Sequence, residues 1–158
     1  ETGVTFAENA ALKAETVCEA TGLAVLADDS GLEVESLGGA PGVYSARFAG
    51  PEADDQANNC LLLQKLSGLP RKKRKARFVC VLALARPGWE TVYFYGRTEG
   101  EILNVPRGEN GFGYDPLFLS TDLNLTFAEA PSAAKHAVSH RGRALAELTT
   151  YLADSQNF

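Results

Sequence analysis

The most constraining feature of the sequence is a pair of apolar segments separated by a turn signal. Residues 78–85 are strongly apolar, residues 91–95 are aromatic and β-branched, and Pro87-Gly88 lies between them. Proline and glycine favour turns, whereas aromatic and β-branched residues favour strands, so the pattern predicts a β-hairpin. A more polar segment over residues 96–102 is predicted to continue the sheet as a further strand after the hairpin. The fold must therefore contain antiparallel pairing.

Other segments have the spacing of helices. Thr5 followed by Glu8 forms a capping-box pattern, and an alanine-rich helical segment then runs to a stop at Gly22. Residues 54–66 form a second helix that stops at Gly68. The carboxyl end is helical in two parts, which are residues 132–139 and residues 143–153, with Leu145, Leu148 and Leu152 on one face of the second part.

Short apolar runs supply the remaining strands. Residues 23–27 read as a buried central strand that ends at Asp28-Asp29-Ser30-Gly31, and residues 32–35 alternate apolar and acidic side chains. Residues 116–119 form another short strand. Helices, crossovers and a hairpin together predict an α/β fold with a central mixed β-sheet flanked by helices. We expect a single domain over residues 1–158.

Composition excludes several classes of protein. The 158 residues carry 15 Lys and Arg against 20 Asp and Glu, a net charge of −5. No apolar run is long enough to span a membrane, which needs about 20 residues, and no basic, apolar start resembles a secretory signal. Cys18 and Cys80 lie within apolar patterns, which predict that both thiols are buried in the core. The basic run Arg71–Lys75 is compatible with nucleic-acid contact or with a solvated loop, and the acidic balance favours the loop.

Two adjacent carboxylates are the first departure from what packing alone requires. Asp28 and Asp29 lie where an apolar strand is predicted to end, which is where open α/β sheets bind ligands. Such carboxylates suit a hard cation such as Mg²⁺, or general-base work on a water molecule. The alternative is an ordinary Asp-Ser-Gly turn, in which an Asp side chain bonds to its own backbone.

Two further segments carry groups suited to binding. The segment Gly111-Phe112-Gly113-Tyr114-Asp115 joins glycines, which allow close backbone approach, to two aromatic rings that stack on flat ligands. Lys135, together with Ser139-His140-Arg141-Gly142, places donors for an anionic or carbonyl-bearing ligand at a helix junction. The alternatives are a plain glycine-rich loop and a solvated junction.

Taken together, these segments resemble a known family. The matching motifs are Thr2–Ala10, Ala27–Leu32, Leu37–Arg47, Gly111–Pro116, and Lys135 with Ser139–Gly142. They occur in order along essentially the whole chain. They resemble the inosine triphosphatase (Ham1-like) family of non-canonical purine nucleoside triphosphate pyrophosphatases.

The resemblance implies a reaction and its residues. The reaction is Mg²⁺-dependent hydrolysis of inosine, deoxyinosine or xanthosine triphosphate to the monophosphate and pyrophosphate. Asp29 corresponds to the general base and, with Glu1 and Asp28, to the metal-binding acids. The implied substrate contacts are Ser30, Phe112, Gly113, Tyr114, Asp115, Lys135, His140 and Arg141. A homodimer is implied too, and the missing secretion and disulfide signals point to the cytoplasm.

One departure from the family pattern limits the resemblance. Family members open with a strand, a phosphate-gripping loop and a helix over about 40 residues that have no match here, and loss of that strand would expose a sheet edge. The alternative function is therefore a catalytically silent, truncated fragment that at most binds purine nucleotides. A nucleic-acid-binding protein working through residues 71–75 is a third hypothesis.

Overall fold

The computed structural model describes residues 2–154 and 156. Four α-helices and four strands follow one another along them, with short 3₁₀ helices over Glu35–Leu37, Gly42–Arg47 and Arg71–Lys73. The order is α1 (Phe6–Thr21), β1 (Val25–Val34), α2 (Asp55–Lys65), β2 (Lys75–Ala85), β3 (Val92–Ile102), β4 (Phe118–Ser120), α3 (Ser132–Val138) and α4 (His140–Ala153). Within this part of the chain, no helix is long and apolar enough to cross a membrane.

The chain forms two compact units. Unit 1 contains the residues up to Ser30, Val79–Arg97 and the residues from His140 onward. Unit 2 contains Gly31–Phe78 and Thr98–Ser139. The expectation that residues 1–158 act as one domain stays a prediction.

The predicted hairpin is confirmed. The strands lie in the order β1-β2-β3-β4, so each strand pairs with its neighbour in the chain. The predicted strand over residues 96–102 is the second half of β3, and β4 pairs with it antiparallel from Gly100 opposite Ser120 to Ile102 opposite Phe118.

The α/β class and the central sheet are confirmed as well. Contacts of β1 with β2 join Ser30 to Cys80 and Glu33 to Arg77, so residue numbers rise on one strand as they fall on the other. The described strands therefore pair antiparallel, where the sequence predicted parallel and antiparallel pairs together. Their connections run between adjacent strands, which makes an antiparallel sheet possible without crossovers.

The predicted strand over residues 23–27 is wrong in its bounds and its burial. β1 starts at Val25 and runs through the Asp-Asp-Ser-Gly segment to Val34 without a turn. Leu23 precedes the strand and is 66% exposed, and Leu26 of β1, which is the edge strand of the described sheet, is 44% exposed. A continuous apolar run does not by itself distinguish an edge strand from a central one.

The helix boundaries follow the predicted caps. The Thr5 hydroxyl accepts from the Glu8 amide at 3.1 Å, and Gly22 ends α1 in the left-handed conformation. The Glu8 carboxylate accepts from the Val4 amide at 2.7 Å instead of returning to Thr5, so only half of the predicted capping box forms. Asp54 caps α2 through the Ala57 amide.

Unit 1 has its own apolar cluster around β2. The buried residues of this cluster are Cys80, Leu82, Leu84, Phe94, Ala144 and Leu148. The predicted apolar face of α4 is only partly right, since Leu145 and Leu152 are each more than a third exposed and the Tyr151 ring packs edge-on against Phe94 instead. Cys18 and Cys80 are buried as predicted, and Cys60 is exposed.

The core of unit 2 is built around three phenylalanine rings. Phe78 and Phe118 have ring centroids 4.5 Å apart, and Phe118 and Phe127 have centroids 5.0 Å apart. Around them lie buried aliphatic residues from β1, α2 and the following segments, including Leu32, Val34, Leu62, Leu66, Ile102 and Leu117. Leu32 and Val34, two residues apart on β1, thus point into this core.

The basic run over residues 71–75 is neither a uniform solvated loop nor a free cationic patch. Arg74 is 3% exposed and donates to the carbonyl oxygens of Leu66 and Ile102 at 2.7 Å and of Leu103 at 2.9 Å. Arg71 pairs with Glu101 at 2.6 Å. Arg74 therefore joins the end of α2 to the end of β3.

We expect Arg74→Met to lower the free energy of unfolding by about 2–4 kcal/mol, because the lost guanidinium leaves carbonyl acceptors without a donor at about 1–3 kcal/mol each. Urea unfolding measures the loss. The control is Arg71→Met, whose side chain is 79% exposed, and its expected cost is below about 1 kcal/mol. Equal, small losses in the two variants would contradict the role assigned to Arg74.

Candidate functional site

The two adjacent acids of β1 face in opposite directions. The Asp28 carboxylate accepts from Arg141 at 3.1 Å and from the Ser30 hydroxyl at 3.3 Å. The Asp29 carboxylate bonds to the Lys13 ammonium of α1 at 3.3 Å. Successive side chains of a strand alternate between its faces, so Asp28 and Ser30 share one face while Asp29 lies on the other. The structure therefore does not bring the two acids together.

Ser30 also contacts a buried thiol. The hydroxyl of Ser30 lies beside the thiol of Cys80, which is fully buried. Burial raises the pKa of the Cys80 thiol, so the group stays protonated near neutral pH. A chain of polar contacts thus runs from Cys80 through Ser30 and Asp28 to Arg141.

The predicted helix junction is present at the start of α4. Ser139 separates α3 from α4, which begins at His140, three residues earlier than the sequence pattern predicted. His140 is 8% exposed, and a side chain at Gly96 of β3 would overlap its carbonyl oxygen. The start of α4 therefore packs directly on the β3 backbone.

In unit 2, the segment from Gly111 to Asp115 forms a loop fixed by its own carboxylate. Asp115 is 3% exposed and accepts from Lys135 at 2.6 Å and from the Phe112 amide at 3.1 Å. The Lys135 ammonium also lies 4.9 Å from the centroid of the Phe112 ring. That ring is 62% exposed, so it is the surface of the loop that can stack on a flat ligand.

Tyr114 does not offer a second stacking surface. It is 5% exposed, and its hydroxyl donates to the Ser45 carbonyl oxygen at 2.6 Å. Burial, reinforced by the charge of Asp55, raises the pKa of the Tyr114 phenol. The prediction that both aromatic rings of the loop stack on a ligand is therefore wrong for Tyr114, because the fold uses this ring to anchor the loop.

Helix α2 holds the same loop at Gly113. The Gly113 amide donates to the Asp55 carboxylate at 2.8 Å, and the Asn59 amide donates to the Gly113 carbonyl at 3.0 Å. Gly113 has a φ of 60°, in the left-handed region that glycine tolerates. Sequence reasoning missed Asp55 and Asn59, although their spacing of four residues places them on one helix face.

Sequence reasoning also missed Lys13 as a residue of the candidate site, although its position in α1 indicated that role. Lys13 follows the buried Asn9 and Ala10 by four and three residues, so it lies toward the buried side of α1, where a charged residue needs a partner, and its partner is Asp29. A lysine on the buried side of a helix thus indicates that an acidic partner lies elsewhere in the chain.

The predicted site residues fall into two groups. Asp28, Asp29, Ser30, His140 and Arg141 belong to unit 1, and Phe112, Gly113, Tyr114, Asp115 and Lys135 belong to unit 2. Glu1, predicted as a metal ligand, lies outside the described residues. Over residues 2–154 and 156, no group of three or more His, Cys, Asp or Glu side chains is arranged to hold a metal ion.

Comparison with known proteins defines the class to which this fold and these motifs belong. The model of the Ham1 family matches residues 1–151. The Ham1 protein of Staphylococcus aureus superposes with a TM-score of 0.92 at 47% identity, covering 96% of this chain and 78% of its own. A HAM1 protein from Coxiella burnetii superposes with a TM-score of 0.93 at 44% identity, covering 98% and 80%.

The chain therefore belongs to the Ham1 family, as the resemblance indicated. Among its relatives, the dITP/XTP pyrophosphatase of an Exiguobacterium species is 61% identical over 148 residues, which are 94% of this chain and 74% of the relative. The dITP/XTP pyrophosphatase of Bacillus subtilis is 52% identical over 152 residues, 96% of this chain and 77% of the relative.

Proposed function

We propose that this protein is a hydrolase that converts non-canonical purine nucleoside triphosphates, such as those of deoxyinosine and xanthosine, to the monophosphate and pyrophosphate. The observation that carries the proposal is the 61% identity to a dITP/XTP pyrophosphatase over 94% of the chain. The reaction removes damaged purines from the nucleotide pool. It requires a base for the attacking water and positive charge on the leaving pyrophosphate.

Asp29 is the residue we assign as the general base. Its side chain is 10% exposed and lies 3.3 Å from the Lys13 ammonium. A neighbouring cation favours the ionised carboxylate, which is the form able to take a proton from water. The contact also fixes the direction of the carboxylate, which a base needs in order to orient the water that it deprotonates.

Mg²⁺ is the cation we propose for the reaction, and the described residues fit it through Asp29. Magnesium is commonly bound by one or two carboxylates together with substrate phosphates and water, so a single protein carboxylate suffices when the nucleotide is present. Asp28 lies on the other face of β1, where its Oδ2 atom accepts from both Arg141 and Ser30, so we do not assign it to the metal. When bound, the metal neutralises charge on the phosphates.

The base of the nucleotide is the part that we assign to the exposed Phe112 ring and to Arg141. Phe112 offers a face for stacking, while Asp115, Lys135 and the anchored Tyr114 hold its loop. Hypoxanthine and xanthine carry a 6-oxo acceptor where adenine carries an amino donor. A donor such as Arg141 therefore bonds to the first two bases and is left unpaired by adenine, a difference that discriminates strongly. His140 and Ser30 are assigned as further substrate contacts.

The proposal is tested by pyrophosphate release from inosine triphosphate and adenosine triphosphate, in Mg²⁺ and after addition of EDTA. Metal-dependent release from inosine triphosphate with little from adenosine triphosphate supports it. Tight binding of inosine triphosphate without release would support the alternative of a silent nucleotide binder. The basic run is a weak candidate for nucleic acid, because Arg74 is buried and Arg71 is paired.

Arg141→Ala and His140→Ala are expected to narrow the preference for inosine over adenosine triphosphate by about tenfold or more, because a donor to the 6-oxo group is lost. The ratio of the two kcat/KM values measures this preference. The control is Arg143→Ala, an exposed arginine of the same helix that bonds to the Arg97 carbonyl. Unchanged ratios in both variants would move base recognition to the loop of residues 111–115.

A homodimer and a cytoplasmic location complete the proposal. The homodimer is a prediction from the family resemblance, and the cytoplasmic location is a prediction from the missing secretion and disulfide signals. Light scattering of the purified chain across a concentration series tests the first, and fractionation of the source cells tests the second.

A further inference from the structure

Asp28 is an acid whose surroundings do not suit a metal ligand. Its Oδ2 atom accepts from the guanidinium of Arg141 and from the hydroxyl of Ser30. All three residues belong to unit 1 and share one face of the sheet with the buried Cys80. A guanidinium 3.1 Å from a carboxylate supplies the positive charge that a metal would otherwise supply.

Those contacts have a consequence for both partners of Asp28. The guanidinium carries its five N–H donors in one rigid plane, so a carboxylate bound to one nitrogen restrains the orientation of the whole group. The Ser30 hydroxyl gives its hydrogen to Asp28, which leaves its oxygen as an acceptor toward any other group. Asp28 thus sets which way each group presents itself.

We propose that Asp28 is a positioning residue that orients Arg141 and Ser30 for the purine nucleotide, and that it does not bind the metal. The inference rests on the proposed function, since it concerns the same site. It divides the adjacent acids of β1 between two tasks: Asp29 serves the reacting water and the metal, and Asp28 serves recognition of the substrate.

The test is a double-mutant cycle with Asp28→Asn and Arg141→Gln. Titration calorimetry in EDTA measures the affinities for inosine and adenosine triphosphate without turnover. Each single variant is expected to lose about tenfold in the ratio of the two affinities, and the double variant is expected to lose no more than either, because coupled residues are not additive. Asp28→Glu, which keeps the carboxylate, is expected to recover part of the ratio.

A second readout separates positioning from metal binding. The Mg²⁺ concentration at half-maximal rate is expected to stay within about twofold in Asp28→Asn, whereas loss of a ligating carboxylate would raise it by about tenfold or more. The control is Glu33→Gln, which removes a partly exposed carboxylate of the same strand from its pair with Arg77 and is expected to change neither readout.

The outcomes are distinguishable. Additive losses in the cycle, or a large rise in the Mg²⁺ requirement of Asp28→Asn, would overturn the role assigned to Asp28. If the unmodified chain binds inosine triphosphate but releases no pyrophosphate, the proposed reaction fails, and the binding cycle still decides the role of Asp28. If the unmodified chain does not bind the nucleotide, both proposals fail.

Discussion

Replacing Asp29 by Asn is expected to lower the rate of pyrophosphate release by roughly 10²- to 10⁴-fold, the range that loss of a positioned general base produces. The neutral amide has nearly the same shape as the carboxylate but cannot take the proton of the attacking water. Nucleotide affinity is expected to stay within about tenfold of the original, because the lost interaction is needed chiefly in the transition state.

The measurement is steady-state kinetics with inosine triphosphate, together with the dissociation constant of the same nucleotide in EDTA. Glu33→Gln serves as the matched control on β1 and is expected to retain full activity. A parallel fall in affinity and in rate for Asp29→Asn would argue that the residue supports the structure through Lys13 and has no part in proton transfer.

Gly96→Ala is expected to be strongly destabilising, with a loss of about 3 kcal/mol or more, at or above the usual range for overpacking. The new Cβ would overlap the carbonyl oxygen of His140 and lie 2.5 Å from the Ala144 amide nitrogen. Both obstacles are backbone atoms at the start of α4, so the helix must shift as a body. A shift there also moves His140 and Arg141.

Thermal and urea unfolding measure the loss, and the kcat/KM ratio for inosine over adenosine triphosphate measures the displacement of α4. Gly38→Ala is the control. No atom lies within 4 Å of the methyl group added at Gly38, although its φ of 64° still disfavours a side chain, so a cost of about 1–2 kcal/mol is expected. Similar losses in the two variants would show that α4 accommodates the methyl group without moving.

Much of the fold is predictable from local signals. The ends of α1 and α2 follow from Thr5, Asp54 and the glycine at Gly22, because caps and stops act within a few residues of themselves. The β2–β3 hairpin follows from its turn and the flanking apolar runs for the same reason. The family motifs also identified the loop that carries Phe112.

The remaining features depend on partners distant in the chain. Burial of Tyr114 requires the Ser45 carbonyl 69 residues away, and burial of Arg74 requires carbonyls at the end of β3. No local sequence pattern indicates such distant partners. The edge position of β1, and with it the exposure of Leu26, is likewise a property of the assembled sheet. Local patterns therefore indicate which segments carry the candidate site residues, but not which contacts those residues make.

The placement of the two acids on opposite faces of β1 restricts how the length of this strand can vary in evolution. An insertion or deletion of one residue between Asp29 and Leu32 would reverse the parity of one half of the strand relative to the other. Either Leu32 and Val34 would leave the core, or each acid would turn to the partner of the other. We therefore expect homologous chains to keep the number of residues between these positions constant and to vary in length only in the connections that precede and follow β1.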